Sequence, residues 1–451
     1  MALPPSLPLP ALMQTLLWIR RPTEVLHFCD RFYGSAFMLR LAPFDVALFS
    51  DPESIRSIFA AKSEQMHAGE VNRILRVLVG ESSVLLLDDE EHMRHRKLLL
   101  PQFHGERMRY YGDTMAEITR ATIAQWSEGD TFSLHDHTQE ITLQIILRTV
   151  FGADEGPELT RLNEHIKRLL SVSEHPISLP TMIFMSTHPQ LETRFPFKWL
   201  LKARNETDSL IYRQIAARRS EGARSDRKDV LAMLMQARDE QGEPMTDSEL
   251  RDELITALAA GHETTATGLA WAVERIVSTP VVYARLRDEI AAAGGMAASP
   301  ERIAALPYLD ATIKEVLRLR PVVPIIGRLL KQPTQLGGYD LPAGTAVGAT
   351  IYLAHRNPDV YPEPEAFKPE RFLGAPPDPV SWLPFGGGIR RCIGAQFATY
   401  EMKIVLYTML AACEITLAQS APARIMRRTI TFWPEGGTRI RIKRRGSALA
   451  A

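Results

Sequence analysis

The sequence predicts a mainly α-helical protein with small β-sheets. The first indication is a helical pattern that begins at Thr246, where Thr-Asp-Ser-Glu forms a capping box with Glu249, and stops before Thr279. Such a helix is roughly 45 to 50 Å long, so it crosses the whole protein. The second indication is a set of short apolar or alternating runs, which predict strands at residues 36–41, 45–50 and 345–349.

The other elements follow in order along the chain. Apolar residues at helical spacing, separated by Pro or polar turns, predict helices at residues 52–62, 136–153, 158–172 and 228–238. Near the C-terminus, Glu435-Gly436-Gly437 predicts a hairpin turn between the last strands. Residues 173–196 are rich in Pro, Met and Phe and lose regular periodicity, which is typical of an adaptable apolar surface or of core packing.

Composition excludes several classes of protein. Of the 451 residues, 45% are hydrophobic and 24% charged, and Lys and Arg balance Asp and Glu at 53 each, so no nucleic-acid partner is expected. The three cysteines, Cys29, Cys392 and Cys413, are too scattered for a disulfide framework or a zinc site, which suits the cytoplasm. The proline-rich segment 1–20 is too short in its apolar part, Ala11–Ile19, for a membrane anchor and lacks the basic start of a signal peptide.

The most informative stretch is Phe-Gly-Gly-Gly-Ile-Arg-Arg-Cys-Ile-Gly at residues 385–394. Its three central glycines let a backbone turn tightly and lie flat against a planar group. A helical pattern follows, so Cys392 is expected at a helix N-terminus beside Arg390 and Arg391, where the thiolate that ligates metal is favoured. A buried structural cysteine is the alternative.

This stretch resembles the haem-ligand loop of the cytochrome P-450 family, Phe-x-x-Gly-x-Arg-x-Cys-x-Gly. Phe385, Gly388, Arg390, Cys392 and Gly394 match it at every defined position. The resemblance implies that Cys392 is the axial thiolate ligand of the iron in haem b, that Arg390 pairs with a haem propionate, and that Phe385 and Gly394 belong to the cofactor-binding loop.

Two further stretches carry basic residues that the resemblance assigns to the haem propionates. His92 and Arg96 lie four residues apart, on one face of a predicted helix, where the alternative is a solvated basic surface. They resemble the His-x-x-x-Arg pair of the family. Arg328, within the extended apolar run Pro-Val-Val-Pro-Ile-Ile-Gly-Arg, matches the propionate-binding arginine of that strand.

The centre of the long helix, Ala-Ala-Gly-His-Glu-Thr-Thr, is polar and contains a helix-weakening glycine. A polar patch beside a packing glycine is one explanation, and a zinc-protease site is excluded because Ala266 stands where a second His is required. The stretch resembles the family's oxygen-activation motif. The resemblance implies that Ala260 and Gly261 lie against the haem, with a kink at Gly261, that Thr264 holds water or dioxygen, and that Glu263 passes protons inward.

Two other motifs of the same family concern the fold. Glu315 and Arg318, three residues apart, resemble the Glu-x-x-Arg motif, and Arg371 lies in the Pro-Glu-Arg-Phe stretch that accompanies it. The resemblance implies that these three side chains form a buried network behind the haem. By position, residues 173–196 correspond to the mobile lid over the family's substrate channel.

Four motifs in the family's order, over nearly the whole chain, imply that residues 21–451 form one haem domain with the cytochrome P-450 fold. The implied activity is a monooxygenase reaction that inserts one atom of dioxygen into a substrate. Electrons are expected from a ferredoxin or flavodoxin with its NAD(P)H reductase, docking near Arg391, Arg94 and Lys97 on a monomeric protein. The alternatives are a hydrogen-peroxide-driven peroxygenase, whose relatives lack the acid-Thr pair, and a haem sensor or carrier without turnover.

The substrate is the least specified feature. An apolar run at residues 322–326, small residues Ala259 and Ala260, and a tip at Ile430 and Thr431 predict a lipophilic pocket. A fatty acid is the first choice, and a terpenoid or macrolide-like metabolite is the second. No residue marks a carboxylate anchor.

Overall fold

The structure is a computed structural model that describes residues 3–41, 44–103, 107–152, 157–171, 181–182, 184–185, 198–221, 227–374, 376–419 and 421–445. The expected lid at residues 173–196 lies outside the described residues, apart from 181–182 and 184–185.

Most of the described chain is helical, and several helices begin where a side chain caps the first free amides. Asp51 accepts a hydrogen bond from the Ser54 amide at 2.8 Å, and Asp229 accepts one from the Ala232 amide at 2.9 Å. The helices are α1 (Ala11–Arg20), α2 (Pro22–Tyr33), α3 (Pro52–Ala60), α4 (Gly69–Asn72), α5 (Arg76–Val79), α6 (Asp89–Leu99), α7 (Arg107–Ala124), α8 (Leu134–Phe151), α9 (Pro157–Ser171), α10 (Lys198–Glu221), α11 (Val230–Gln236), α12 (Asp247–Val277), α13 (Pro280–Ala293), α14 (Pro300–Ala304), α15 (Pro307–Leu319), α16 (Ile351–Ala354) and α17 (Ala395–Ala412).

The strands of the described residues form four small sheets. They are β1 (Ala36–Leu41), β2 (Phe44–Phe49), β3 (Met66–His67), β4 (Phe132–Ser133), β5 (Ile325–Leu330), β6 (Thr334–Leu336), β7 (Tyr339–Leu341), β8 (Ala346–Thr350), β9 (Cys413–Leu417), β10 (Ile425–Arg428), β11 (Thr431–Pro434) and β12 (Arg439–Arg444). The largest sheet has the order β1-β2-β8-β5-β3, in which only β2 and β8 run parallel. The others are β4-β12-β9, β10-β11 and β6-β7. This architecture confirms the mainly helical class with small sheets.

The long helix α12 is the centre of the main hydrophobic core. Its capping box is present: the Glu249 amide donates to Thr246 Oγ1 at 3.2 Å, and the Thr246 amide donates to Glu249 Oε2 at 2.7 Å. With 31 residues the helix is about 46 Å long, as expected. It packs along α8 and also contacts α17 and β11, so residues on its different faces meet different parts of the protein.

The predicted network behind the cysteine stretch is confirmed. Arg318 binds Glu315 through two hydrogen bonds of 2.7 and 2.9 Å, and both side chains are fully buried. Arg371 Nε lies 3.4 Å from Glu315 Oε1. The Arg318 carbonyl meets Nδ1 of buried His355 at 3.0 Å, and the Leu383 amide donates to Nε2 of the same ring at 2.8 Å. The network therefore fixes the backbone two residues before Phe385.

The predicted hairpin turn at Glu435–Gly437 is wrong. The antiparallel hairpin joins β10 to β11, with Arg428 opposite Thr431, so Thr429 and Ile430 form its tip. Glu435–Gly437 is a 3-10 turn that passes the chain into β12, which pairs with β4 and β9 in another sheet. Two glycines with positive φ suit a tight turn of either kind, and only strand pairing distinguishes them.

The N-terminal segment packs on the first strand of the large sheet. The Met38 amide donates to the Pro5 carbonyl at 2.7 Å, and Trp18 of α1 is buried. Among the described helices, none combines the length and the apolar character that crossing a membrane requires.

Candidate functional site

The cysteine loop (residues 385–394) is a tight reversal of the chain that ends just before α17. The Cys392 amide donates to the Phe385 carbonyl at 2.9 Å, and a 3-10 turn at Gly388–Arg390 lies between them. Because Gly394 is the N-cap of α17, Cys392 stands two residues before the cap. The sequence therefore placed Cys392 correctly near a helix N-terminus.

Two of the loop glycines are required by contact with the end of α3. Gly388 has φ +63°, and a Cβ added to it would lie 2.1 Å from the Phe59 carbonyl oxygen. A Cβ on Gly387 would lie 2.5 Å from the ring of Phe59. The sequence explained these glycines by approach to a planar group, whereas a protein contact already requires them. At Gly394, by contrast, a Cβ would meet nothing within 4 Å.

The Cys392 side chain is solvent-accessible although protein surrounds it, so it borders an internal opening. Burial raises the pKa of the Cys392 thiol. A hydrogen bond from the Gly394 amide and the charges of Arg96 and Arg391 lower the pKa, but by less. The expected low pKa is thus wrong for the polypeptide alone. Metal ligation, which requires the thiolate, has to release the proton.

Four cationic or basic side chains from separate parts of the chain form a cluster near this loop. This cation cluster consists of His92 and Arg96 on α6, Arg328 on β5 and Arg390 in the loop, as the sequence predicted. Burial and the charges of the three arginines lower the pKa of His92 to about 3, so its imidazole is neutral. Burial and the charge of Arg390 lower the pKa of Arg328 to about 10.

The cation cluster has too few anions of its own. Within the described chain, its one ion pair joins Arg390 to Asp88; Arg390 also donates to the carbonyls of Val84 and Leu87. Arg96 donates to the Arg391 carbonyl at 2.7 Å, and Arg328 to its neighbour's carbonyl, while Nδ1 of buried His92 has no partner. Buried charge without a counter-charge is costly, so the cluster fits a ligand with carboxylates, as the two propionates of haem would provide.

The centre of α12 presents small residues to an opening. Ala257, Ala260, Gly261 and Thr264 lie on one face of the helix, and Ala260 is exposed whereas the helix around it is largely buried. The Thr264 hydroxyl donates to the Ala260 carbonyl at 2.6 Å, and the helix runs through Gly261 without a break. A Cβ on Gly261 would lie 3.3 Å from Ile146 Cδ1, so close packing against α8 accounts for this glycine without a kink.

Glu263 points away from that face and is held by other side chains. Its carboxylate accepts from Gln139 Nε2 at 2.5 Å and lies 3.5 Å from His135 Nε2 and 3.7 Å from an Arg428 nitrogen. Burial raises its pKa, but hydrogen bonds from His135 and Gln139 outweigh burial and leave the pKa below its usual value. Glu263 is therefore an ionised group bound to α8 and β10, and about 20% of its side chain is exposed.

Sequence reasoning missed Glu401, a second acid near the same region. It lies on α17, is almost fully buried, and meets Thr265 of α12, while its Oε1 atom has no hydrogen-bond partner. Burial raises the pKa of this carboxyl well above its usual value. The signal in the sequence was a glutamate at helical spacing from Phe397 and Ile404, on the apolar side of the α17 pattern.

The three residues predicted to bind a redox protein differ in whether carboxylates of this protein already pair with them. Arg94 is bound to Asp239 and Glu249, each at 2.6 Å, and Lys97 to Glu240 at 2.6 Å. Arg391 is exposed, and no acidic partner contacts it within the described chain. Only Arg391 combines exposure, a position next to Cys392 and a charge that no protein carboxylate neutralises.

Comparison with known proteins agrees with this geometry. A family model described as cytochrome P-450 matches residues 3–441 of the chain. The chain is 41% identical over 445 residues to cytochrome P-450 135B1 of Mycobacterium tuberculosis (strain ATCC 25618 / H37Rv), covering 98% of this chain and 92% of that one. It is 35% identical to cytochrome P-450 138 of Mycobacterium bovis, covering 98% and 97% of the two chains.

Solved structures of the same family share the fold. Retinoic acid bound cyanobacterial CYP120A1 aligns with a TM-score of 0.83 at 26% identity, covering 99% of this chain and 100% of that one. The cytochrome P-450DA heme domain aligns with a TM-score of 0.84 at 23% identity, covering 99% and 98%.

We expect Gly388→Ala, in the cysteine loop, to lower the stability of the protein far more than Gly436→Ala, in the turn before β12. Both glycines have positive φ, +63° and +73°, but only at Gly388 would the new methyl group meet backbone, 2.1 Å from the Phe59 oxygen. The shared backbone strain costs about 1 kcal/mol, and the clash adds to it at Gly388 alone. Urea-induced unfolding and the haem content of the purified variants measure the difference; equal effects would show that the contact with Phe59 is unimportant.

Proposed function

The chain belongs to the cytochrome P-450 family, and from this premise we propose that Cys392 is the axial ligand of its haem and that the cation cluster holds the propionates. The family and its fold support a haem-thiolate monooxygenase. When bound, haem with a thiolate ligand supplies the activation of dioxygen, since the thiolate pushes electron density that favours cleavage of the O–O bond. One oxygen atom enters a C–H bond of the substrate, and the other leaves as water with two protons and two electrons.

The observation that carries this proposal is the combination of an accessible thiol with a cluster of basic groups that has one carboxylate. Gly394 leaves space beside Cys392, and the amide of Gly394 donates to the sulfur. A hydrogen-bond donor at a ligating sulfur tunes the metal that the sulfur binds. Ala260, exposed on α12, supplies a wall small enough to leave room for a flat cofactor and for dioxygen.

Thr264 and Glu263 are the proposed proton-handling residues, in different ways. Thr264 lies on the face that also carries Ala260, and its hydroxyl can exchange the 2.6 Å bond to the Ala260 carbonyl for a bond to water or dioxygen. Glu263 is ionised, is held by Gln139 and His135, and is partly exposed, so its part is to take protons from solvent and pass them inward.

The proposed substrate is a lipophilic molecule, with a fatty acid first and a terpenoid or macrolide-like metabolite second. Apolar residues of β5, Ile325 and Ile326, are half-buried, and Ile430 at the β10-β11 tip is 42% exposed. Both regions flank elements of the site, because β5 carries Arg328 and Arg428 of β10 approaches Glu263 at 3.7 Å. The cyanobacterial relative is described as bound to retinoic acid, an isoprenoid carboxylic acid, which fits either choice.

The proposed electron donor is a ferredoxin, or else a flavodoxin, with its NAD(P)H reductase. Arg391 is exposed directly beside the proposed ligand Cys392 and is suited to an acidic partner. Arg94 is removed from this role because two carboxylates already bind it. The three free cysteines are compatible with a cytoplasmic location.

We expect Cys392→Ala to abolish thiolate ligation, and Cys413→Ala to leave it intact. Cys413 is fully buried at the start of β9, so it offers a matched control for the loss of a thiol. The measurement is the carbon monoxide difference spectrum of the dithionite-reduced protein, in which thiolate-bound haem gives a strongly red-shifted Soret band. A red-shifted band in the Cys392 variant would refute the assignment.

Replacing Thr264 by Ala should uncouple oxygen use from product formation, whereas Thr264→Ser, which keeps the hydroxyl, should not. Positioned proton transfer contributes typically about 10²- to 10⁴-fold, so we expect the product formed per dioxygen to fall at least about tenfold. Product, peroxide and dioxygen are measured with a fatty acid or terpenoid that perturbs the ferric spectrum. Full coupling in the alanine variant would contradict the role of Thr264.

Reversing the charge of Arg391 should slow reduction by ferredoxin. We expect Arg391→Glu to lower the second-order rate by about tenfold at low ionic strength, with the difference shrinking as salt screens the charges. The control is Arg439→Glu, the same change of charge at an exposed position on β12, outside the cysteine loop. Stopped-flow reduction under carbon monoxide measures both rates, and identical rates for the two variants would exclude this docking site.

A further inference from the structure

A buried carboxylate outside the cysteine loop is linked to two places in the cation cluster: the helix α6, which carries His92 and Arg96, and the loop residue Arg390. Glu253 lies two turns before Ala260 on α12, and its side chain has no exposed surface. Its Oε1 atom meets Nδ1 of His95 at 2.7 Å and accepts from the Val84 amide at 2.8 Å. Its Oε2 atom is buried without a partner, so these two contacts are its described hydrogen bonds.

The first of these contacts leads to α6. His95 lies three residues after His92 and directly before Arg96, on the helix that carries both. It is buried, and its Nε2 atom also meets Glu249 Oε1 at 3.2 Å, one helical turn before Glu253. Two carboxylates on one face of α12 therefore hold the imidazole from both of its nitrogen atoms. The backbone of α6 beside Arg96 is thus fixed relative to α12.

The second contact leads to the cysteine loop. Val84 donates to Glu253 through its amide and accepts a hydrogen bond from Arg390 Nη1 through its carbonyl, at 3.2 Å. The same short segment supplies the Leu87 carbonyl and the Asp88 carboxylate that bind Arg390. Next to Glu253, Asp252 accepts from the Ser82 amide at 2.8 Å, which attaches the start of this segment to α12 as well.

We propose that Glu253 is a positioning residue for the haem propionates: through His95 it sets the place of His92 and Arg96, and through the backbone of Val84 it sets the place of Arg390. The inference rests on the proposed binding of haem by the cation cluster. Glu253 itself touches none of the four members, so it acts only through its two neighbours.

The energetic cost of burying Glu253 supports a role for it beyond stabilising the hydrophobic core. Burying a carboxylate is expensive, and a buried ion pair can often be replaced by apolar residues without loss of stability. Glu253 leaves one oxygen unpaired, so its burial is incompletely compensated. Hydrogen bonds between His95 and the carboxyl groups of Glu253 and Glu249, together with their charges, outweigh burial and raise the pKa of His95, whereas burial raises the pKa of Glu253. The contact between α6 and α12 therefore rests on the hydrogen bonds of 2.7 and 3.2 Å.

The same helix offers a matched control. Glu274 is also fully buried on α12, forms an ion pair with Arg275 and accepts from the Ala423 amide at 3.3 Å. It lies five to six turns beyond Glu253, and its described contacts do not include the cation cluster or the segment that binds Arg390. A change of Glu274 to Gln therefore tests the loss of a buried carboxylate from α12 without the proposed function.

The experiment compares Glu253→Leu, Glu253→Gln, His95→Gln and Glu274→Gln as haem-loaded proteins. Transfer of ferric haem to a haem-free globin is followed in the Soret region, together with the reduction potential and the Tm of each variant. Loss of an outer partner of a metal ligand typically costs about 10- to 100-fold in metal affinity or activity, and we expect haem transfer from Glu253→Leu to accelerate by a similar factor. Glu253→Gln keeps an acceptor for the Val84 amide and should fall between Glu253→Leu and the unchanged protein.

The sign of the potential separates positioning from simple loss of charge. Removing a negative charge near the iron by itself raises the potential, whereas less well-placed cations leave the propionates less neutralised and lower it. We expect a lower potential in both Glu253 variants and no lowering in Glu274→Gln. If Glu253→Leu does not fold, Glu253→Gln and His95→Gln provide the same comparison.

Two results would overturn the proposal: haem transfer as slow as in Glu274→Gln, or an acceleration with a raised potential. Faster transfer with a lowered potential at a Tm equal to that of the control supports it. The carbon monoxide spectrum keeps this test separate from the proposed function. A thiolate-type band with unchanged transfer rates refutes only the role of Glu253, whereas absence of haem from the unmodified protein refutes the proposed function itself.

Discussion

The gathering of His92, Arg96, Arg328 and Arg390 around a single carboxylate is the constraint on which the site depends. Three guanidinium groups at close range repel one another, and burial makes each charge more expensive. The neutral state of His92 removes one charge, and Asp88 balances another. The remaining excess positive charge favours an anionic ligand, which the haem propionates would supply under the proposed function.

Helix α12 joins this charged region to the rest of the site because residues on its different faces contact different elements. Near its N-terminus, Glu249 and Glu253 hold α6. Two turns later, Ala260 and Thr264 face the opening, while Glu263 turns toward α8 and β10. A single continuous helix sets the distances between these groups, since each residue adds a rise of about 1.5 Å.

The cysteine loop is held in place by two groups of residues from outside the loop. Behind it, the Arg318–Glu315 pair and His355 fix Leu383 through a hydrogen bond of 2.8 Å. In front of it, Phe59 of α3 fits against Gly387 and Gly388 so closely that a methyl group would clash. Cys392 can therefore be accessible and still well placed, because its backbone is held from both sides.

The sequence alone determined the fold class, the bounds of α12, the members of the cation cluster and the Glu315–Arg318 pair, because each depends on spacing within a short stretch or on a motif of defined residues. Tertiary structure decided the rest. Burial, which no local pattern reveals, raised the pKa of Cys392 and of Glu401. Strand pairing places the hairpin tip at Thr429 and Ile430 rather than at the predicted turn. Arg94 forms ion pairs with Asp239 and Glu249, which are distant in the sequence. These outcomes depend on which distant surfaces meet, and a linear sequence does not state that directly.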